Sequence, residues 1–333
     1  MASAFPKRDF FSLTLREKFR GLTTREGVVF LGPAGWGEFS PFANYTPHQD
    51  SLWLRAALES AFVPCEYPKN ATIGVNAIIG DNEDPYGAST RALEQFGCNT
   101  IKIKVGLDLA NDVKRVDAVI QAFREAEMLD NLRIRLDANG RWNVSQAWET
   151  LSELDGAPIE YVEQPCDSVQ ELRELHRKIN IPIALDESIR IDGQHQIGDF
   201  ADLAIIKVSP LGGISAIEEL ITKLDVPIRI SGALESSVGL SASLLAAYTF
   251  APTEVAGLGT GMLLASDLTG EPIVPHLGRI SVARYEPNAE KMIESALSPD
   301  QQALWEKRIA RAWALIPVAV LASLGVPEQG MQG

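Results

Sequence analysis

The stretch Ile101-Lys102-Ile103-Lys104-Val105 decides how this chain is read. Extended, it points Lys102 and Lys104 to one face and Ile101, Ile103 and Val105 to the other. Two ammonium groups side by side in an apolar strand repel each other, and burial disfavours their charge. A strand with one wet face would carry them without further purpose. Nearby anions would give them one, so the choice rests on the segments around this one.

Those segments keep a rhythm. Short apolar runs recur at Gly74–Ile79, Thr100–Val105, Arg133–Asp137, Ile159–Glu163, Ile183–Asp186, Leu203–Lys207, Ile228–Ser231 and Glu254–Gly257. Amphipathic stretches lie between them, clearest at Asp112–Glu127, Val144–Leu154 and Val169–Lys178. Strand–helix alternation repeated about eight times predicts a parallel sheet closed into an α/β barrel of the TIM type. An open doubly wound sheet is the rival, and no GxGxxG comes after the first strand to support it.

The barrel is expected over residues 71–264. Residues 1–70 read as a small α+β unit. Phe11–Leu15, Gly27–Leu31 and Gly35–Phe39 alternate or run apolar like strands, and Pro47–Phe62 carries helical spacing up to Pro64. Beyond about residue 265 the rhythm stops, and Gln301–Leu315 reads as a helix. This tail, 265–333, is expected to return and complete the N-terminal unit as a capping domain.

In such a barrel the chemistry gathers where strands end. The second strand offers Lys102 and Lys104, and the third ends in Asp137-Ala-Asn139-Gly. The fourth ends in Glu163-Gln-Pro, the fifth in Asp186-Glu187-Ser and the sixth in Lys207-Val-Ser-Pro. A single strand-end carboxylate is usually a helix cap or a turn residue. Asn139 reads equally as a turn residue or a neighbour of the site, and Glu187 as a bystander or a supporting group. Three adjacent strands each presenting a carboxylate, with lysines on either side, instead describe a hard-oxygen site for Mg²⁺, or Mn²⁺, better than for zinc. His48, His176, His195 and His276 fall at no expected strand end, which argues against a histidine base.

Composition narrows the class. Of 333 residues, 46% are hydrophobic, enough for a large core. A formal net charge of -14 disfavours nucleic-acid and anionic-membrane surfaces. Cys65, Cys98 and Cys166 are odd in number and lack CxxC spacing, as expected of reduced thiols in a cytoplasmic protein. The first residues show no apolar signal-peptide core, and the longest apolar run, Trp313–Val326, contains Pro317 and is too short to span a bilayer. A small-molecule partner is therefore expected, with no obligate protein partner evident.

With these residues in view, the chain resembles the enolase superfamily. The likeness is to the muconate-lactonizing-enzyme-like subgroup, with Lys-x-Lys on the second barrel strand and Lys on the sixth. Gly-Trp-Gly-Glu38 is similar to that family's capping domain, and Asp137-Ala-Asn-Gly-Arg-Trp, Lys207-Val-Ser-Pro-Leu-Gly-Gly and Ser231-Gly-Ala-Leu-Glu-Ser-Ser-Val-Gly239 to its barrel. The resemblance implies a modified, enolase-type barrel in which Asp137, Glu163 and Asp186 hold Mg²⁺. It implies Lys104 as base and then acid, Lys102 as its tuning neighbour and Lys207 as a stabilising group across the ring. Asn139 and Glu187 would support them from behind.

The implied substrate is a dicarboxylate, a hydroxylated cyclohexadiene carboxylate bearing a succinyl chain, dehydrated on the way to menaquinone. Its far carboxylate would meet N–H groups around Ser231, Gly232 or Gly259. Two departures sharpen this. The eighth strand end reads Gly257-Leu-Gly-Thr-Gly261, without the Asp-x-Asp that dipeptide epimerases of the family use to hold an amine. The substrate loop, Arg16–Glu26, is short, so its lid is expected to be reduced. The alternatives are an N-acylamino acid racemase or cycloisomerase of the same subgroup, a Schiff-base aldolase, and a barrel that only binds.

Overall fold

The computed structural model describes residues 7–192 and 197–327, so His195 lies outside the described residues. The N-terminal unit begins with β1 (Lys7–Phe19), β2 (Leu22–Gly32) and β3 (Gly35–Phe39), an antiparallel sheet in that order. Alternation sets its faces, with Phe11, Leu13 and Leu15 buried on one side of β1. The expected short loop Arg16–Glu26 is instead the tip of this hairpin. The register shifts between Thr14 and Phe19, and the chain reverses at Arg20-Gly21, with φ of 50° and 80°. Two consecutive positive φ angles match the right-handed twist of a hairpin, which is why two residues suffice for the turn.

Helix α1 (Pro47–Phe62) starts at a Thr46/Gln49 capping box with proline in its first turn. It buries Trp53, Leu54, Ala57, Leu58 and Ala61 against the sheet. Helix and strand touch backbone to backbone at Gly37, where a Cβ would stand 1.9 Å from the Ala57 carbonyl oxygen.

After β4 (Thr72–Gly74) the barrel runs as β5 (Ala77–Ile79), α2 (Pro85–Glu94), β6 (Thr100–Lys104), α3 (Leu109–Glu125), β7 (Arg133–Asp137), α4 (Val144–Glu153), β8 (Ile159–Glu163) and α5 (Val169–His176). It continues with β9 (Ile183–Leu185), α6 (Glu187–Asp192), β10 (Leu203–Lys207), α7 (Val208–Leu211), α8 (Ile214–Ile221), β11 (Ile228–Ser231) and α9 (Ser237–Phe250). Strands β5 to β11 pair in parallel, each with its sequence neighbour. Ile101, Ile103 and Val105 pack outward in the main core, and Lys102 and Lys104 point into the barrel.

Two expectations about strands need correction. Gly74–Ile79 is not one strand. β4 leaves the barrel to pair antiparallel with β12 (Arg279–Ser281), and only Ala77–Ile79 joins the parallel sheet. The eighth segment, Glu254–Gly257, is reduced to single bridges, Ala256 with Val75 and Gly257 with Ser231. Four backbone hydrogen bonds close the ring there: Gly257 to Ile230, Gly232 to Gly257, Ala256 to Gly74 and Asn76 to Ala256. Gly257 is pressed so close to Ser231 that a Cβ would lie 2.5 Å from its Oγ.

The tail adds α10 (Ala289–Glu294), α11 (Pro299–Trp313) and α12 (Val318–Ser323). Trp305, Ile309, Ala312, Leu321 and Leu324 share one buried cluster with Phe30, Phe39 and the inner face of α1. A partly buried Arg308–Asp50 ion pair at 2.6 Å ties α11 to α1. Among the described residues no helix is long and apolar enough to cross a membrane.

Candidate active site

Parallel register brings the strand-end residues together. Lys104 stands opposite Asp137, and Asp137 opposite Glu163. Glu163 pairs with Ala184, so Asp186, two residues on, projects on the same side just above it. Lys207 stands opposite Ser231. Lys102, Lys104, Asp137, Glu163, Asp186 and Lys207 are all buried, and Glu187 is half-buried.

Lys102, Lys104, Asp137 and Glu163 form one network of ion pairs, with the Lys207–Asp186 pair beside it. Lys102 Nζ lies 2.7 and 2.6 Å from the two Glu163 oxygens and 2.9 Å from Asp137 Oδ2. Lys104 Nζ donates to Asp137 Oδ2 at 2.6 Å and to Asn139 Oδ1 at 2.6 Å. Lys207 Nζ donates to Asp186 Oδ2 at 2.5 Å. Asn139, held at a φ of 48°, passes its amide on to Glu187 Oε1 at 3.1 Å. Asn139 and Glu187 thus stand in line behind Lys104.

The same burial acts differently on each group. Desolvation lowers Lys104 to about 8, with Arg20 and Lys102 adding to the effect and Asp137 opposing it. Burial also works against the charge of Lys102, but Asp137 and Glu163 outweigh it and raise its pKa above the ordinary lysine value. Asp137 is also desolvated, yet Lys102 and Lys104 hold its carboxyl well below the usual range. Glu163 is raised by burial and by Asp137. Two neighbouring lysines are therefore driven apart, and Lys104 is the one pushed toward neutrality.

Among the described residues, no group of three acidic side chains forms a ready-made cation cage; each of the three carboxylates meets a lysine ammonium instead. The donor set nonetheless suits a hard divalent cation. Asp137 Oδ1 is buried without a hydrogen-bond partner, an acceptor left over for a positive charge.

A pocket open to solvent lies over this lattice. Lys102, Lys104, Asp137 and Lys207 form its floor, and Ser231, Gly232, Ala233 and Leu234 one wall. Phe42, Tyr45 and Ile78 supply apolar surface. Gly259 does not line it. A Cβ there would stand 2.3 Å from the Asn76 carbonyl, so that glycine is packed against the barrel backbone and its neighbour Thr260 faces the cavity. Sequence reasoning missed Phe19 and Arg20, which the hairpin tip delivers to the rim. Arg20 reaches to 3.9 Å from Glu187. The available signal was an Arg-Gly pair between two alternating strands.

Comparison with known proteins agrees with this architecture. Residues 87–287 match the enolase C-terminal domain-like family and residues 10–61 the enolase N-terminal domain-like family. The o-succinylbenzoate synthase of Thermobifida fusca (strain YX) is 39% identical over 314 residues, covering 91% of this chain and 95% of that protein. The chain belongs to the o-succinylbenzoate synthase family of the enolase superfamily. The family's member from Mycobacterium tuberculosis (strain H37Rv) is 38% identical over 319 residues, covering 92% and 93% of the two chains. Its fold is shared with muconate lactonizing enzyme from Pseudomonas fluorescens, at a TM-score of 0.70 and 17% identity over 89% of this chain and all of that one.

Proposed function

We propose that this chain dehydrates 2-succinyl-6-hydroxy-2,4-cyclohexadiene-1-carboxylate to 2-succinylbenzoate, a cytoplasmic step of menaquinone biosynthesis. The observation that carries the reading is the placement of Lys104 and Lys207 on opposite sides of the Asp137–Glu163–Asp186 set, in a chain of this family. Asp137, Glu163 and Asp186 would hold Mg²⁺, or Mn²⁺ in its place. When bound, the ion supplies Lewis-acid stabilisation for charge developing on the substrate carboxylate.

Lys104 takes the proton α to that carboxylate. An unperturbed lysine is a poor base at neutral pH, and burial beside Lys102 and Arg20 is what brings this one to about 8. The C–H bond breaks toward Lys104 Nζ, which then returns the proton to the departing hydroxyl on the same face. Water leaves and the ring becomes aromatic. Lys102 holds the lattice and meets the reacting carboxylate. Lys207, from the far side, stabilises the negative charge in transit. Asn139 and Glu187 fix the direction of the Lys104 ammonium. The wall at Ser231 and Gly232 receives the succinyl carboxylate, while Phe42, Tyr45 and Ile78 contact the ring.

The test is loss of the diene absorbance with Mg²⁺ and with EDTA. Fast, metal-dependent loss is expected. No turnover by a folded, metal-binding chain would remove this assignment. One observation favours a second reading, N-acylamino acid racemisation: two lysines face the site from opposite sides. That activity would exchange the α-proton of an N-acylamino acid with deuterated solvent and need both Lys104 and Lys207.

A further inference from the structure

The wall of the cavity is a loop that does not hold its own shape. It runs from Ser231, at the end of β11, to Ser237, at the start of α9. Leu234 in its middle lines the cavity at a φ of 64°. A branched side chain in left-handed backbone is strained and persists only where the surroundings over-determine it. Here the contacts to Leu234 and Ser236 come from the other unit of the chain. Arg25, on β2, donates from Nε to the Leu234 carbonyl at 2.9 Å. Its guanidinium also bonds Ser40 and lies 4.4 Å over the Phe42 ring, itself part of the cavity.

Glu38, on β3, receives four donors. Ser40 Oγ reaches it at 2.7 Å, the Ser236 and Gly239 amides at 3.1 Å each, and the Ser236 hydroxyl completes the set. Gly239 has to be glycine for this approach, since a Cβ would stand 2.8 Å from Glu38 Oε2. Arg25 is 2% exposed and Glu38 4%. Burying a guanidinium and a carboxylate at an interface is costly, and apolar packing would be the cheaper glue. Their partners explain the expense, because three of them lie within or just after the loop. From the loop itself, Glu235 accepts from the Ala233 amide at 2.7 Å and Ser236 Oγ from the Val238 amide at 3.2 Å, while the barrel adds Ser209 to Glu235 and Gly232 to Gly257.

We infer that Arg25 and Glu38 are positioning residues of the capping sheet that hold the 232–236 loop in its substrate-facing shape. The inference rests on the reading that this wall receives the far carboxylate of the substrate. Neither residue meets the reacting atoms, so their loss should be felt in binding. Arg25→Met and Glu38→Gln should each raise KM about tenfold or more while kcat stays within about threefold. Glu38→Gln keeps the shape but turns an NH₂ group toward donors it can no longer accept from. Arg25→Lys, which keeps one donor, should recover part of the lost affinity. Ser236→Ala removes the hydroxyl that meets Glu38 and caps α9 at the Val238 amide, and it leaves both cap residues in place, so it serves if the larger changes impair folding.

Amide hydrogen exchange supplies the readout that activity cannot. Residues 232–239 should exchange faster in each variant, with β6–β8 unchanged. An unchanged KM in a folded Glu38→Gln or Ser236→Ala variant, or faster exchange spread evenly over the chain, would overturn the inference. If the wild-type chain fails to dehydrate the diene, the function reading falls by itself and the exchange experiment still decides the role of the two residues.

Discussion

Lys102→Met asks what the buried lysine is doing among the carboxylates. Its ammonium lies 2.6 Å from Glu163 and 2.9 Å from Asp137, with side-chain exposures of 7%, 0% and 2% in that order. At such separations each contact is worth about 6 kcal/mol at an effective dielectric constant of about 20, before desolvation is subtracted. Removing one partner of a buried pair typically leaves a net loss of about 3–5 kcal/mol. Lys104 still faces Asp137, so the lower end, about 3 kcal/mol, is expected in EDTA. A divalent cation would take the same oxygens. Mg²⁺ at about a hundred times the variant's dissociation constant adds about 2.7 kcal/mol to the variant by mass action, and less to the wild type, whose ammonium competes for the same oxygens. Urea unfolding monitored by tryptophan fluorescence, in EDTA and across a Mg²⁺ series, measures both quantities. Mg²⁺ should stabilise Lys102→Met more than the wild type. An equal deficit with and without saturating Mg²⁺ would refute the idea that the ammonium stands where a cation binds.

Lys104→Ala should cut turnover by about a thousandfold or more and leave the Mg²⁺-dependent rise in stability intact; full activity would remove Lys104 from the chemistry. Gly37→Ala should destabilise the fold by about 3 kcal/mol, because the new methyl meets backbone that cannot turn aside, and a lowered midpoint in thermal unfolding checks it. Burial raises the Glu38 carboxyl from 4.5 to about 7, so the folded chain holds that proton more tightly than the unfolded one. Its contribution is greatest below about pH 4.5 and is lost as pH rises toward 7, by up to about 3 kcal/mol; Glu38→Gln should flatten that part of the stability profile, as denaturation at several pH values would show.

Strand periodicity carried the barrel because its strands are short, buried and punctuated by charged ends. Thr100–Val105 is read from alternation alone, and helical spacing up to Pro64 gives α1 at Pro47–Phe62. The strand-end rule also gathers Lys102, Lys104, Asp137, Glu163, Asp186 and Lys207 into one site, since parallel register aligns strand ends without further information. What sequence could not supply was decided by distant contacts. The eighth strand closes the ring, so its pairing depends on Val75, far away in the chain, as well as on Ser231. Arg16–Glu26 looked like a loop because its turn, Arg20-Gly21, lacks the usual Asn-Gly or Asp-Gly signal. Glu38 was visible as part of Gly-Trp-Gly-Glu, but nothing local shows that its partners are Ser236 and Gly239.

The thin closure at Ala256 and Gly257 makes this barrel a split ring. A complete hoop spreads any push around its circumference, whereas a ring with a nearly open joint yields at the joint. Here the joint adjoins Ser231 and Gly232, at the edge of the cavity wall. The ring is joined there by single bridges, while the lysines and carboxylates hang on β6 to β10, where each strand pairs with its neighbour over two or more residues. The cavity therefore takes its lining from both sides of that joint, Ile78 from one and Ser231 from the other.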